Sequence, residues 1–194
     1  MTNNTLYPVF FRLDRLKMLI VGAGEVGEEK LSFILKSSPN ANITVVATWA
    51  GEGVQSLLQH HSSQVRFIQR EFDPADVDQA DIVIAATNFA DINRQVYDAA
   101  KAKNKIVNIA DTPALCDFYM GSIVTRGDLK VAISTNGKSP TFAKRFRQAF
   151  EQILPVETAE LMDHLKIVRD QLQGDFEYKV KELNRITSSL IKSS

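Results

Sequence analysis

Apolar residues along the chain fall into short, nearly continuous runs, separated by stretches that are apolar on one side only. The runs are Lys17 to Val21, Ile43 to Ala47, Val65 to Ile68, Ile82 to Ala86 and Ile106 to Ala110. Runs of this length without polar alternation read as strands covered on both faces. Between them, Glu25 to Ser37 gathers Val26, Leu31, Ile34 and Leu35 on one helical side, and Asp91 to Lys103 does the same with Ile92, Val96 and Ala99 or Ala100. Gly51 to His60 reads as a short helix, and Pro74 to Asp78 as an acidic turn or a single helical turn. Strict strand–helix alternation predicts an α/β fold, a doubly wound parallel sheet of Rossmann-like type, over residues 1–112.

The pattern changes after Pro113. Ser122 to Thr125 and Leu129 to Ser134 flank Arg126-Gly127-Asp128, which predicts an antiparallel hairpin. Asn136 to Pro140 reads as a loop, and Thr141 to Leu154 as a helix carrying Phe142, Phe146, Phe150 and Ile153 on one side. These elements form a small α+β domain over 113–154. From Pro155, apolar residues recur every three or four positions at Leu161, Leu165, Val168, Leu172, Phe176, Val180, Leu183, Ile186 and Leu190. That spacing predicts a helical C-terminal region, 155–194, broken near Gly174. Its stripe needs cover from the body or from a second subunit.

Composition narrows the class. The chain has 194 residues, 44% of them apolar, with Lys+Arg and Asp+Glu balanced at 23 each. No overall charge bias points to nucleic acid or a membrane. A single cysteine, Cys116, builds neither an internal disulfide nor a cysteine zinc site. No apolar run reaches bilayer length, and Met1 to Tyr7 lacks a signal-peptide pattern. A cytoplasmic, soluble protein is expected. Charge is uneven locally. Residues 121–150 hold Arg126, Lys130, Lys138, Lys144, Arg145 and Arg147 against Asp128, whereas residues 71–81 hold five acids and no base. The basic stretch is either a solvated face or a site for a polyanion. No aromatic platform or recognition helix accompanies it, so nucleic acid is not expected.

The most specific local chemistry lies at Gly22-Ala23-Gly24-Glu25-Val26-Gly27, between the first strand and the first helix. The first glycine permits the tight turn, the second lets a pyrophosphate approach the backbone, and the third lets helix and strand pack closely. Helix-start amides then face the phosphates. The acid that usually ends the second strand and holds the ribose is missing, because that strand ends Val46-Ala47-Thr48-Trp49. The motif thus leaves NAD and NADP open, with Thr48 and Trp49 as candidate contacts. Ligands in such sheets bind beyond the carboxyl ends of the strands, where Thr87-Asn88 and Asn108 to Asp111 fall. Asp111 stands where a general base would, or caps the turn before Pro113. His60-His61 lies in a polar stretch and reads as solvent-exposed, His164 has only Glu160 at helical spacing, and Cys116 has no histidine or carboxylate partner in sequence, so no metal site is expected.

Several segments together carry a resemblance. They are Pro8-Val9-Phe10, Val21 to Val26, Ala85-Ala86-Thr87-Asn88, Asn108 to Asp111, Asp117-Phe118-Tyr119-Met120-Gly121-Ser122-Ile123 and Ser134 to Pro140. In this order they resemble the siroheme synthase family, in its precorrin-2 dehydrogenase and sirohydrochlorin ferrochelatase module, over essentially the whole chain. The resemblance implies NAD-dependent oxidation of precorrin-2 to sirohydrochlorin, with Fe2+ insertion at the same site in many members and dehydrogenation alone in some. It implies a stand-alone module without the methyltransferase domain to which many members are fused. It places the catalytic aspartate on Asp111, NAD contacts on Glu25-Val26 and Thr48-Trp49, and the loop serine on Ser139. It also implies a homodimer that exchanges its middle section. The octacarboxylate substrate would then meet Arg126, Lys138, Lys144 and Arg145. Iron is expected as a substrate and not as a stored cofactor. Two other readings remain: an NAD-binding regulatory or sensor domain without catalysis, and a dehydrogenase for a different small acid.

Overall fold

The structure is a computed structural model and describes residues 4–188. Met1 to Asn3, and Leu190 of the tail stripe, lie outside the described residues. The chain divides into two compact units, residues 1–120 with 136–138, and residues 121–135 with 139–194.

The first unit is a parallel sheet of β1 (Lys17–Val21), β2 (Asn42–Ala47), β3 (Val65–Gln69), β4 (Ile82–Ala85) and β5 (Ile106–Ile109), in the order β3-β2-β1-β4-β5. Side chains on a strand alternate between faces, and the two cores follow from that. Met18 and Ile20 of β1 pack with Ile43, Val45, Ile82 and Ile84 against Leu31, Ile34 and Leu35 of α1 (Glu25–Ser37) and Val54 of α2 (Glu52–His60). Leu19 and Val21 pack with Val46, Val83, Ala85, Val107 and Ile109 against Val96 and Ala100 of α3 (Ala90–Ala102) and Val77 of a 3-10 turn at Pro74–Gln79. Burial of both faces explains the unalternating apolar runs. The doubly wound expectation holds.

This unit ends at Met120, later than the Asp111–Pro113 turn where the apolar pattern changes. The reason lies in polar ties that the pattern does not encode. The Asp117 carboxylate accepts from Val107 N–H at 3.0 Å and from Lys101 Nζ at 2.9 Å. Asn108, buried, donates Nδ2–H to Phe118 O at 2.8 Å. Phe118 and Met120 then pack on the α1–α2 core.

The second unit contains the antiparallel pair β6 (Ser122–Arg126) and β7 (Leu129–Ile133), joined through Gly127 at φ +56°. It continues with α4 (Pro140–Ile153), α5 (Thr158–Gln171) and α6 (Phe176–Thr187). The α5–α6 break falls at Gly174, φ +132°, and Asp175 caps α6 by accepting from Tyr178 N–H at 2.8 Å. Among the described residues of this unit only Val124 and Ala143 are buried. Phe142 stacks on Phe146, which meets Phe150 edge-on, with centroids 5.4 and 5.3 Å apart. Phe142 and Phe146 nevertheless remain 57% and 46% exposed.

Candidate functional site

A cavity of about 640 Å³ opens at the carboxyl ends of β1, β2, β3 and β4. The sheet order reverses between β1 and β4, and the cavity lies at this topological switch point, where open α/β sheets bind their ligands. Its wall includes residues 21–26, 46–49, 70–72 and 86–89, with Ile92 and Gln95.

The three glycines play three different parts. Gly22 sits at φ +107°, and a Cβ there would stand 2.4 Å from Ala86 O, so the turn closes against the end of β4. Gly24 faces open space: an added Cβ would meet nothing nearer than the Trp49 ring at 3.7 Å. Gly27 does not line the cavity. A Cβ there would lie 2.3 Å from Gly22 O, so this glycine lets α1 pack on its own turn. Gly24 is the N-cap of α1 and supplies no side chain, so the first-turn amides keep their donors for a ligand. An open backbone cradle at a helix start suits a dinucleotide pyrophosphate.

The remaining wall is built by neighbouring loops. Thr87 N–H and Oγ1–H donate to Asn93 Oδ1, at 3.3 and 2.8 Å, and Asn93 Nδ2–H returns a bond to Thr87 O at 2.9 Å. Buried Asn93 thus fixes the loop that presents Thr87 and Asn88. Thr48 and Trp49 follow β2, both exposed, and Gln69 Nε2–H donates to Thr48 O at 3.1 Å. Arg70, Glu71 and Phe72 complete the wall, and the glycine motif gives no sign of them. The rule that ligands sit beyond strand ends could have found them, because they directly follow β3. Arg70 is held by Asp76 through two bonds of 2.8 and 2.5 Å. That hydrogen-bonded pairing keeps the Asp76 carboxyl below its ordinary range and raises the guanidinium.

Asp111 lies on the same edge of the sheet, one strand beyond the cavity, and does not line it. It takes φ +57° in the turn after β5. Its carboxylate is exposed and has no hydrogen-bond or ion-pair partner among the described residues, so it does not cap the turn before Pro113. Cys116 braces that turn. Its Sγ lies 3.3 Å from Ile109 N, 3.2 Å from Ile109 O and 3.4 Å from Thr112 O. Burial raises the Cys116 pKa, which fits a structural thiol.

The basic residues divide by what already engages them. Arg126 donates from Nε to Leu154 O at 2.8 Å and from Nη2 to Glu151 O at 2.9 Å, so its fork closes the carboxyl end of α4. Arg147 pairs with Glu151. Ser139 caps α4, its Oγ accepting from Phe142 N–H at 3.2 Å. Lys144 and Arg145 are exposed on α4, and Lys138 is exposed in the loop before it. Among the described residues no group of His, Cys, Asp and Glu could hold a metal ion, and no helix is long and apolar enough to cross a membrane.

Comparison with known proteins agrees with this geometry. Residues 9–122 match the family described as "Putative NAD(P)-binding", and residues 126–153 match "Sirohaem biosynthesis protein central". The chain is 34% identical to the siroheme synthase of Pseudoalteromonas atlantica over 88% of its own length and 36% of that protein's. It is 36% identical to the siroheme synthase of Methylobacillus flagellatus over 87% of its length and 35% of that protein's. The chain thus spans about a third of the curated relatives it matches. The solved structure of SirC, precorrin-2 dehydrogenase, superposes with a TM-score of 0.76 at 22% identity, covering 93% of this chain and 89% of that one, and so shares the fold. The chain belongs to this NAD(P)-binding family and is, over most of its length, a homologue of the siroheme synthases.

Proposed function

We propose that the protein oxidises precorrin-2 to sirohydrochlorin, with NAD as hydride acceptor. The carrying observation is Asp111. It is an exposed, unpartnered carboxylate held in a left-handed turn on the sheet edge that also carries the dinucleotide cavity. Homology to siroheme synthases on both sides of it supports the substrate.

Bound NAD supplies the acceptor for hydride, leaving a proton to be removed from the macrocycle. The α1 amides and Gly24 would hold its pyrophosphate, while Thr87 and Asn88, fixed by Asn93, line the cavity after β4. Asp111 accepts the proton at a carboxylate oxygen, which needs no prior loss of a partner. Lys138, Lys144 and Arg145 answer the carboxylates of the substrate. Arg126 has its donors committed to α4 and contributes by holding that helix.

The same carboxylate serves to take one of the two pyrrole N–H protons that leave as Fe2+ enters sirohydrochlorin, the other passing to solvent, with iron as substrate. Among the described residues the second unit buries only Val124 and Ala143 within one chain, which supports a homodimer whose partner covers Phe142 and Phe146. The reading places the protein in the cytoplasm.

Anaerobic incubation with NAD and precorrin-2 tests this, followed by NADH formation and the chromophore. The expected result is oxidation by wild type and loss of turnover with retained NAD binding in Asp111→Ala. No oxidation by wild type overturns the proposal, and full turnover by the variant overturns the role of Asp111. Fe2+ or Co2+ added to sirohydrochlorin tests chelation separately.

A further inference from the structure

The end of β2 lacks the acid that usually takes the ribose hydroxyls of a dinucleotide. The adjoining strand brings one to the same rim. Arg70 N–H donates to Ala47 O at 3.0 Å, and Gln69 Nε2–H donates to Thr48 O at 3.1 Å, so the chain just after β3 is stitched to the end of β2. Glu71 is the next residue. It lines the cavity, is exposed, and its carboxylate has no partner among the described residues.

Three charged side chains line the cavity: Glu25, Arg70 and Glu71. Glu25 belongs to the first turn of α1. Arg70 is the one cation, and a lining arginine would ordinarily favour a 2′-phosphate. Its guanidinium is already ion-paired, with three of its five N–H donors engaged. Nη1 donates to Asp76 Oδ2 and to Glu71 O, both at 2.8 Å, and Nη2 donates to Asp76 Oδ1 at 2.5 Å. Asp76 is itself locked, because its Oδ2 accepts from Asp73 N–H at 2.9 Å in the cap of the 3-10 turn. The side of the cavity formed by β2 and β3 therefore offers a free carboxylate and a neutralised guanidinium.

We propose that Glu71 is the specificity-determining residue of the cofactor site, accepting the ribose hydroxyls in place of the missing β2 acid, while Asp76 withholds Arg70 from a 2′-phosphate. The assignment rests on the dinucleotide reading of the cavity. A carboxylate accepts from a 2′-hydroxyl and repels a 2′-phosphate, so one residue acts on both cofactors in opposite directions. The acidic stretch at 71–81 then has a use for two of its members: Glu71 at the cavity and Asp76 behind it.

The test is calorimetric titration of NAD and NADP into the full chain, in wild type, Glu71→Gln and the double variant Glu71→Gln with Asp76→Asn. It needs no tetrapyrrole. Wild type is expected to bind NAD more tightly than NADP. Glu71→Gln should narrow the ratio of the two Kd values by about tenfold, the size expected for losing one charge-assisted hydrogen bond. Releasing Arg70 through Asp76→Asn should move the ratio further toward NADP. Circular dichroism of each variant checks its fold, and exposed Glu71 leaves the single variant safe in that respect. Binding of both cofactors with a ratio that Glu71→Gln leaves unchanged overturns the assignment while sparing the dinucleotide reading. Binding of neither by wild type overturns the dinucleotide reading itself and the assignment with it.

Discussion

At Asp111 the backbone takes φ +57°, a conformation that a non-glycine residue holds at a cost of about 1 kcal/mol, with Asp among the more tolerant types. No side-chain hydrogen bond offsets that cost, which makes the residue costly for stability and explicable by chemistry. Asp111→Gly should therefore unfold in denaturant with stability unchanged or raised by up to about 1 kcal/mol, and the proposed role of Asp111 predicts that it loses precorrin-2 oxidation. Cys116 presents the opposite case. The sequence shows no partner for its thiol, and in the fold it meets backbone atoms of Ile109 and Thr112 and accepts from Asn108 Nδ2–H at 3.4 Å. Since burial raises its pKa, little thiolate is present at neutral pH. A disulfide reagent should modify it at least about tenfold more slowly in the native protein than in the unfolded chain. Asp76 carries a pH signature. Its pKa is lowered in the fold by Arg70, so the pair contributes stability above the ordinary carboxyl value of 3.8, and that stability is lost as pH falls through the lowered value. Thermal melts of wild type and Asp76→Asn should differ at neutral pH and converge well below 3.8.

Elements of the first unit follow their local sequence closely, because each strand and helix is specified by which of its residues must be buried. The five strands, α1, α2 and α3 lie within a residue or two of their predicted bounds. The glycine turn was equally legible, and geometry now separates its members. Gly22→Ala and Gly27→Ala each drive a Cβ into backbone oxygen, at 2.4 and 2.3 Å, and should cost about 3 kcal/mol in a denaturation experiment. Gly24→Ala meets only the Trp49 ring at 3.7 Å, so it should fold normally and lose affinity for the dinucleotide in calorimetry. Arg126, Asn93 and Glu71 were not legible in these roles. Arg126 reaches atoms 25 and 28 residues away and Glu71 follows a strand that adjoins β2, pairings of which the local pattern carries no record; Asn93 bonds Thr87 only six residues away, through an amide that no periodicity singles out.

For the molecule as a whole, apolar surface is unevenly satisfied. The first unit buries both faces of its sheet, whereas Phe142, Phe146, Ile153, Val156 and Ile167 of the second stay exposed. Exposure on this scale marks an interaction surface. The proposed homodimer predicts twice the mass of one chain in sedimentation, and a shift toward monomer on double substitution of Phe142 and Phe146 by Ser. The sequence by itself determined the parallel sheet, the glycine cradle, the hairpin and the helical end region, because periodicity and turn chemistry are local properties. Tertiary structure alone decided that the first unit runs on to Met120, that Arg126 is tied to α4, and that Glu71 shares a rim with Thr48. Those outcomes depend on hydrogen bonds and close contacts between segments that meet only after the sheet has formed.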